Sequence, residues 1–186
     1  MPEILIPAPS GIATFVELLR WRAGEQPDTT ALSFMPDGTQ ETDRLTYSQI
    51  DCRARAIAAN LRELRAEGKR VLLVYPPGLE FVSAFFGCLY ARAVAVPIYP
   101  PPPNRAAPRL EAAVESARPA VALTTAKVKA DIDRRSETAP YLHGYAGSYR
   151  LSFPPMRPMP GATRVSDRTT WRSSNTRPAR RPLRGE

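Results

Sequence analysis

Apolar and polar positions follow a strand–helix–strand pattern around residues 70–104. An apolar run with the length and β-branched content of a buried strand, an apolar helical segment and a second apolar run occupy residues 71–75, 79–90 and 94–98. A Pro-Pro-Gly turn ends the first run, and Pro100–Pro103 end the second, because proline continues neither element. The pattern predicts a βαβ unit with two parallel strands and a right-handed crossover.

A helix and a hairpin are predicted near the start of the chain. Residues 12–23 have helical spacing, with Ser10 or Thr14 near the start of the helix and Gly24 and Pro27 at its end. Two strand candidates, residues 31–35 and 41–47, then flank an Asp-Gly turn, which is a typical hairpin signal. A surface loop without strand pairing is the alternative for this segment.

The second helix has the clearest pattern. Thr46 and Gln49 have the spacing of a capping box at its start. Gly68 is expected to end it, because glycine adopts the left-handed conformation at little cost. One apolar stripe at helical spacing follows the cap and consists of Ile50, Ala54, Ile57, Leu61 and Leu64.

Helices and strands continue to alternate after the prolines. A helix, a short buried strand and a helix capped by Thr124 or Thr125 are predicted at residues 106–118, 120–123 and 126–138. Three such strands alternating with helices indicate an α/β fold with a mostly parallel sheet covered by helices on both faces.

The composition changes near His143. Residues 1–143 carry 17 Lys and Arg against 16 Asp and Glu, whereas residues 144–186 carry nine Arg, no Lys and two acids. The excess positive charge therefore belongs to the last 43 residues, which also show no sustained helical or strand period. We expect three parts: an N-terminal extension (1–11), a folded part (12–143) and a disordered Arg/Pro-rich tail (144–186).

Two interpretations of this tail stay open. An arginine-only basic composition mixed with Ser, Pro, Thr and Gly is what out-of-frame translation of a GC-rich gene would give. The alternative is an arginine-rich arm that binds nucleic acid through its phosphates, with Tyr145, Tyr149 and Trp171 available for stacking. The first interpretation is favoured, and nucleic acid is not an expected partner.

Few residues suggest redox, metal or membrane chemistry. Cys52 and Cys88 lie 36 positions apart on helix candidates, and the chain has one histidine, so we expect two buried, reduced thiols and neither a disulfide nor a zinc site. The N-terminus lacks the basic start of a signal peptide, and the most apolar window, residues 79–99, contains Glu80, Arg92 and Pro97. A soluble, cytoplasmic protein is predicted.

Several segments resemble the adenylate-forming acyl ligases. LTYSQI (45–50) looks like the first core motif of that superfamily, and LYARAVAVPIYP (89–100) looks like the second, in which a small residue usually takes the place of Arg92. The stretch from VLLVYPPG to IYPPPPNR (71–105) and SARPAVALTT (116–125) are similar to the fatty acyl-AMP ligase branch. The resemblance covers roughly residues 12–143.

The resemblance implies an intact enzyme of several hundred residues, of which this chain is an N-terminal fragment. Such an enzyme uses ATP and Mg to join a fatty acid to AMP and passes the acyl group to the pantetheine thiol of an acyl carrier protein or polyketide synthase. The chain lacks the family's Gly/Ser/Thr-rich phosphate loop with its lysine, and it has no G-x-x-x-x-G-K-[ST] loop. The fragment is therefore expected to bind no cofactor and to be inactive alone.

No residue is predicted to be catalytic, to bind a cofactor or to bind a metal, and the substrate-binding residues are unknown. His143 is expected to have a surface or disordered role rather than a catalytic one. Lys69 and Arg70 are expected at the polar start of a strand, and Arg92 at the C-terminus of a helix, where its charge is favourable to the helix dipole. Tyr99 and Pro100–Pro103 follow the carboxyl end of a parallel strand, where open α/β sheets place ligands, so they are either a wall of the intact enzyme's active site or a rigid surface loop.

Three functional hypotheses follow from these patterns. The first is a truncated fatty acyl-AMP ligase, and the second is a fragment of a fatty acyl-CoA synthetase, with coenzyme A as acceptor. The third, from another class, is a non-catalytic α/β module whose arginine-rich arm binds nucleic acid. The absence of lysine and of repeated motifs in the tail argues against the third.

Overall fold

A parallel sheet with helices on both faces forms the centre of this computed structural model, which describes residues 6–101, 108–136 and 150–152. The helices are α1 (Phe15–Glu25), α2 (Tyr47–Glu63), α3 (Leu79–Tyr90), α4 (Pro108–Ala117) and α5 (Ala126–Ser136). The strands are β1 (Thr30–Phe34), β2 (Asp43–Thr46), β3 (Arg70–Val74), β4 (Val94–Ile98), β5 (Val121–Thr124) and β6 (Arg150–Ser152). The predicted α/β class is confirmed.

The sheet has the order β4-β3-β5-β6, and each neighbouring pair is parallel. Leu73 of β3 lies between Pro97 of β4 and Leu123 of β5. Because side chains of a strand alternate between faces, Val71, Leu73 and Tyr75 pack on the side of α1, α2 and α3. On the opposite face, the core consists of Leu72, Val74, Ala122 and residues of α4 and α5.

Local signals explain where the first two helices begin. Thr14 caps α1 by accepting a hydrogen bond from the Glu17 N–H, and the Glu17 carboxylate accepts from the Thr14 N–H. Thr46 and Gln49 form the predicted capping box of α2. Each cap satisfies backbone donors that have no partner within the helix and stabilises it by about 1 kcal/mol.

The predicted hairpin is confirmed, because β1 and β2 pair antiparallel. Asp37 closes the connection by accepting hydrogen bonds from the Thr39 and Gln40 N–H groups, both at 3.0 Å. These bonds stabilise the carboxylate and lower the pKa of Asp37 to about 2. Gly38 beside it has a φ of +75°, which glycine adopts without strain.

Helices α2 and α3 cross at unusually close range. A Cβ atom on Gly87 of α3 would lie 2.4 Å from Ile57 Cγ2 and 2.6 Å from Ile57 Cβ of α2. The missing side chain of Gly87 therefore allows the two backbones to approach, and the contact buries Ala54, Ile57, Ala84 and Cys88 in one core.

The helix ends differ from the prediction. Helix α2 ends at Glu63, before the expected stop at Gly68, and Arg65 adopts the left-handed conformation at its end with a φ of +53°. Arg92 after α3 and Arg118 after α4 do the same, with φ values of +55° and +43°. Helix α1 continues past Gly24 to Glu25. Gly68 was the predicted stop of α2, which instead ends close to Arg65, and α3 and α4 likewise end close to an arginine.

One strand lies inside the predicted tail. Residues 144–186 were expected to contain no regular element, but Arg150–Ser152 form β6, which pairs parallel with Val121–Leu123. Three residues are too few to show the period-2 pattern on which strand prediction depends. The remaining tail residues and His143 lie outside the described residues.

Candidate functional site

The carboxyl end of the parallel sheet brings together three chain segments. In register, Val74 lies beside Ile98 on one side and Thr124 on the other. The residues that follow these strands, Tyr75, Tyr99 and Thr125, therefore leave the sheet at the same edge. Open α/β sheets bind ligands at this edge, which makes it the candidate site.

Tyr75 places an enclosed phenol at this edge. Its side chain is 8% exposed, and its hydroxyl makes no hydrogen bond in the part of the chain that the structure describes. Burial raises the pKa of the Tyr75 hydroxyl, and the negative charge of Glu80 adds to the effect. Tyr75 is therefore a neutral hydrogen-bond donor at physiological pH.

Helix α3 begins at this edge without a side-chain cap. Its N-cap residue is Gly78, with φ +152° and ψ +176°, a conformation that is essentially limited to glycine. The N–H groups of the first turn have no capping side chain, and they carry the positive end of the helix dipole. Glu80 in the first turn is exposed and supplies an opposing negative charge.

Tyr99 and the prolines after β4 form the outer side of the candidate site. The Tyr99 side chain is 72% exposed, and Pro100 and Pro101 are half-buried. Pro102 and Pro103 lie outside the described residues. The arrangement presents an aromatic ring on a backbone stiffened by prolines, which is suited to apolar contact and offers no acid or base.

The two threonines at the end of β5 have local partners. The Thr124 hydroxyl donates a hydrogen bond of 2.6 Å to the Val74 carbonyl and so ties β5 to β3. The Thr125 hydroxyl accepts from the Val128 N–H, which identifies Thr125 as the cap of α5. The hydrogen bond of Thr124 thus links two strand ends, and that of Thr125 caps a helix, so both have a structural role.

The other sequence candidates lie away from this edge. Arg70 is at the amino end of β3, and its Nη1 donates to the Ala117 carbonyl at 2.7 Å, so it also caps the end of α4. Arg92 lies 3.7 Å from Glu67 in an exposed ion pair. Lys69 is exposed beside Arg70. The structure does not bring these residues to the candidate site.

The expectation of two buried thiols was wrong for one of them. Cys88 is fully buried in the core between α3 and the sheet, and burial raises its pKa to about 12. Cys52, however, is exposed on α2, because it lies off the apolar stripe defined by Ile50 and Ala54. Both cysteines are free.

A polar cluster between helices, in which Asp51 and Tyr90 are buried and two arginines are exposed, was not predicted from the sequence. The Tyr90 hydroxyl of α3 donates a hydrogen bond of 2.6 Å to Asp51 Oδ1 of α2, and Arg55 Nε lies 2.8 Å from Asp51 Oδ2. The Arg20 guanidinium of α1 lies 4.9 Å from the centre of the Tyr90 ring. The sequence signal was the i, i+4 spacing of Asp51 and Arg55, which is typical of any solvent-exposed helix.

An apolar hollow of about 580 Å³ lies at the start of α1. Its lining includes Ile12, Phe15, Leu18 and Leu89. The one hydroxyl in the lining belongs to Thr14, which already caps α1. The hollow therefore offers apolar contact but no group for chemistry.

Metal and nucleotide binding find little support among residues 6–101 and 108–136. These residues contain no group of three or more His, Cys, Asp or Glu side chains that could hold a metal ion. The sequence has no glycine-rich phosphate loop either. The described residues do not fit a Mg–ATP site. Within the same part of the chain, no helix is both long enough and apolar enough to cross a membrane.

Comparison with known proteins assigns the fold to a family. The family model described as AMP-binding enzyme matches residues 19–177. This range extends past His143, and the predicted boundary at that residue stays a prediction.

Two curated relatives and one solved structure agree with this assignment. The chain is 44% identical over 115 residues to the medium-chain-fatty-acid–[acyl-carrier-protein] ligase JamA of Moorena producens, covering 60% of this chain and 19% of that protein. It is 38% identical over 120 residues to the long-chain-fatty-acid–AMP ligase FadD26 of Mycobacterium tuberculosis, covering 63% and 21%. The crystal structure of the fatty acid AMP ligase from Legionella pneumophila matches with a TM-score of 0.56 and 37% identity, covering 64% and 20%. The chain thus spans about a fifth of the length of the relatives that it matches.

Proposed function

Because the chain belongs to the AMP-binding enzyme family, we propose that it is a part of a fatty acyl-AMP ligase. The intact enzyme would join a fatty acid carboxylate to the α-phosphate of ATP, release pyrophosphate and transfer the acyl group to a carrier-protein thiol. The observation that carries the proposal is the 44% identity to a fatty-acid ligase, JamA, over 115 residues, together with the structural match to the Legionella ligase at a TM-score of 0.56.

The role that we propose for this part of the enzyme is structural. The described residues hold no metal cluster, and the hydroxyls at the carboxyl end of the sheet are a buried phenol and two engaged threonines. Formation of an acyl-phosphate bond needs a cation and preorganised donors around the reacting oxygens. We therefore propose that ATP and Mg are bound by other parts of the intact enzyme and that the chain alone does not adenylate fatty acids.

We propose that Tyr99 and the prolines after it form a wall of the intact enzyme's active site. Its exposed ring and the prolines after it are suited to contact an apolar chain or a pantetheine arm, and they lie at the edge where α/β sheets bind ligands. As acceptor we propose an acyl carrier protein, in line with the name of JamA. We also propose the cytoplasm as the compartment, because the reaction consumes ATP.

A chimaeric enzyme tests the proposed function. Residues 12–136 of this chain replace the aligned segment of the Legionella ligase, and ATP–pyrophosphate exchange is measured with a long-chain fatty acid. We expect exchange that depends on the fatty acid, and acyl transfer to a carrier protein in preference to coenzyme A. A folded chimaera that activates amino acids but no fatty acid would refute the proposal, and faster transfer to coenzyme A would refute the proposed acceptor. The 186-residue chain alone is the negative control and should show only background exchange.

Two proposals concern the tail. In the favoured interpretation, residues 144–186 result from translation in the wrong reading frame. Translation of the gene in the other two frames should then restore a ligase sequence near codon 144. The competing arginine-rich arm would bind polynucleotide with a steep dependence on salt. Titration of the full chain with RNA and with heparin at low and high salt distinguishes the two. An evolved arm should prefer RNA, whereas an out-of-frame tail should show no selectivity among polyanions.

A further inference from the structure

Positive charge is concentrated at the amino end of the parallel sheet, opposite the candidate site. Three loops lead into β3, β4 and β5, namely residues 64–69, 91–93 and 118–120. Together with the first residue of β3, these loops carry five exposed cations, which we call the basic edge: Arg65, Lys69, Arg70, Arg92 and Arg118. Glu67 is the only carboxylate in the same stretches of sequence.

The rest of residues 1–143 has the opposite charge. Apart from the basic edge and Glu67, this part of the sequence carries twelve cations and fifteen carboxylates. The last turns of α2 and α4 border the basic edge and add Arg62, Glu63 and Glu115. Even with these residues included, the amino end of the sheet has six cations against three carboxylates, so its charge stays positive.

Three arginines of the basic edge adopt a conformation that glycine would adopt without strain. Arg65, Arg92 and Arg118 have positive φ values, and among the described residues no other residue except glycine does. The Ala93 N–H donates to the Cys88 carbonyl at 2.9 Å, a bond that identifies Arg92 as the residue after a helix where glycine is the usual choice. Because a Cβ atom makes this conformation unfavourable, the arginines reduce the stability of the fold.

Attraction to the helix dipoles does not by itself account for the basic edge. A cation within the last turn of a helix has the same attraction without the left-handed conformation, as Arg62 has in α2. Lys69 and Arg70 stand at the start of a strand, six and seven positions after the end of α2. The effect of a helix dipole falls off within the last turn. The basic edge therefore holds more cations than the helix ends need.

Most of these charges have no partner within the chain. In the part of the chain that the structure describes, the side chains of Arg65, Lys69 and Arg118 make no ion pair and no hydrogen bond. Arg92 lies 3.7 Å from Glu67, and its side chain is 84% exposed. An exposed pair of this kind contributes little and is easily replaced. The cations are thus available to an anionic partner.

Backbone hydrogen bonds hold the three loops together. The Gly68 N–H donates to the Arg92 carbonyl, and the Ala120 N–H donates to the Arg70 carbonyl, both at 2.9 Å. The Arg70 guanidinium also donates to the Ala117 carbonyl at 2.7 Å. The cations therefore stand on a fixed frame, and little backbone entropy is lost when they bind a partner.

The arrangement of the basic edge fits the phosphates of a lipid surface. None of the three loops contains an aromatic residue, whereas single-stranded nucleic acid stacks on aromatic rings and the cores of protein interfaces are enriched in them. Arg65 and Arg92 follow helices on one face of the sheet, and Arg118 follows a helix on the other. The cations are thus spread in two dimensions, as the phosphates of a bilayer are.

We propose that the basic edge binds the surface of a membrane that contains anionic phospholipids. The guanidinium and ammonium groups contact the phosphates, and the chain lies on the bilayer without crossing it. Strand β3 has five residues, so the candidate site at the opposite end of the sheet lies about 16 Å from the basic edge and faces the aqueous side. The proposal requires no ligase activity and is therefore tested independently of the proposed function.

Vesicle sedimentation with the full 186-residue chain tests the proposal. The vesicles consist of phosphatidylcholine, either alone or with about one third phosphatidylglycerol as the anionic lipid. We expect binding to the anionic vesicles to be at least about tenfold stronger and to decrease steeply with salt. Equal binding to both kinds of vesicle would overturn the proposal. The nine arginines of residues 144–186 are the same in every variant, so differences between variants report on the substituted residue.

Matched substitutions locate the binding surface. Arg92→Gln should weaken binding to anionic vesicles about fivefold, and addition of Arg118→Gln should weaken it about fivefold again, because each cation near a charged surface contributes about this factor. Arg44→Gln is the control, because Arg44 lies 3.9 Å from Glu41 in an exposed pair that resembles the pair of Arg92 with Glu67. It lies on the hairpin strand β2 and should change binding by less than about twofold. Equal losses for Arg44→Gln and Arg92→Gln would show that net charge or the tail binds the vesicle, and the proposal would be wrong.

Arg92→Gly separates binding from folding. This variant should bind anionic vesicles as weakly as Arg92→Gln, yet its Tm should rise, because glycine adopts a φ of +55° without strain. Unchanged vesicle binding by Arg92→Gly would refute the role of this side chain. A parallel titration uses duplex DNA at the same phosphate concentration. If Arg92→Gln and Arg118→Gln weaken the binding of DNA but not of vesicles, nucleic acid is the partner and the proposal is wrong.

Discussion

Gly87→Ala should lower the free energy of unfolding by about 2 kcal/mol, although alanine is the better helix former. A Cβ at this position would lie 2.6 Å from Ile57 Cβ and 2.4 Å from Ile57 Cγ2. A rotation about χ1 moves Cγ2 but leaves Cβ in place, because Cβ is bonded directly to the backbone. The substitution therefore forces α2 and α3 apart and loosens the core between them.

The magnitude follows from two opposing contributions. Overpacking a close-packed core costs typically 1–3 kcal/mol, and a contact that only a helix shift can relieve lies at the upper end, about 3 kcal/mol. Replacing glycine by alanine within a helix raises the stability by about 1 kcal/mol through the higher helix propensity of alanine. The difference, about 2 kcal/mol, corresponds to a decrease in Tm of roughly 8 °C for a domain of this size.

Gly24→Ala is the matched control for this substitution. Gly24 also lies in a helix, α1, but no atom lies within 4 Å of the position that a Cβ would occupy there, and its φ is not positive. The same change should therefore raise the stability by about 0.5 kcal/mol. Urea denaturation followed by circular dichroism at low micromolar concentration measures both variants. If the Gly87→Ala variant is as stable as the parent chain or as the Gly24→Ala variant, the inferred close packing of α2 against α3 is wrong.

Three further changes test other parts of the fold. Arg92→Gly should raise the free energy of unfolding by about 1 kcal/mol, because φ is +55° at this position and the exposed ion pair with Glu67 contributes little. A urea midpoint below that of the parent chain would contradict this. Tyr90→Phe should lower the stability by about 2 kcal/mol through loss of the bond to the Asp51 carboxylate, and an unchanged urea midpoint would refute that role. Burial raises the pKa of the Cys88 thiol to about 12 from 9.0, so the unfolded chain loses this proton first and stability should fall between pH 9 and 12 by about 1.4 kcal/mol per pH unit for this group. Urea midpoints at pH 8, 10 and 11 should show a shallower decrease for Cys88→Ala.

The strands and helices of the core followed from the apolar pattern, because burial and periodicity are local in the sequence. Residues 79–90 and 94–98 have the bounds that the pattern predicts, and the capping box at Thr46 forms as expected. Helix ends were harder to predict. Arg65, Arg92 and Arg118 take the left-handed conformation that glycine favours, and each follows the C-terminus of a helix, where a positive charge is favourable to the helix dipole.

The candidate site could be located from the sequence, but its polar partners could not. Its location at the carboxyl end of the sheet follows from the parallel direction of the strands, since the carboxyl ends of parallel strands lie at one edge. Whether a side chain there is paired depends on contacts between segments distant in sequence, such as Thr124 with Val74 or Arg70 with Ala117. Likewise, Cys52 and Cys88 both lie in helical segments, and only the packing of each helix buries the one and exposes the other.

Tyr75 and Tyr90 show why the structure changes the interpretation of this region. Both follow apolar residues, both are buried, and burial is the first cause of the raised pKa of each. In sequence terms they are equivalent core residues. Yet the Tyr90 hydroxyl completes a contact within the chain through Asp51, whereas the Tyr75 hydroxyl has no hydrogen-bond partner among the described residues. A buried hydroxyl that loses its acceptor costs about 1–3 kcal/mol, so the environment of each hydroxyl, which the sequence does not show, decides what each tyrosine contributes to stability.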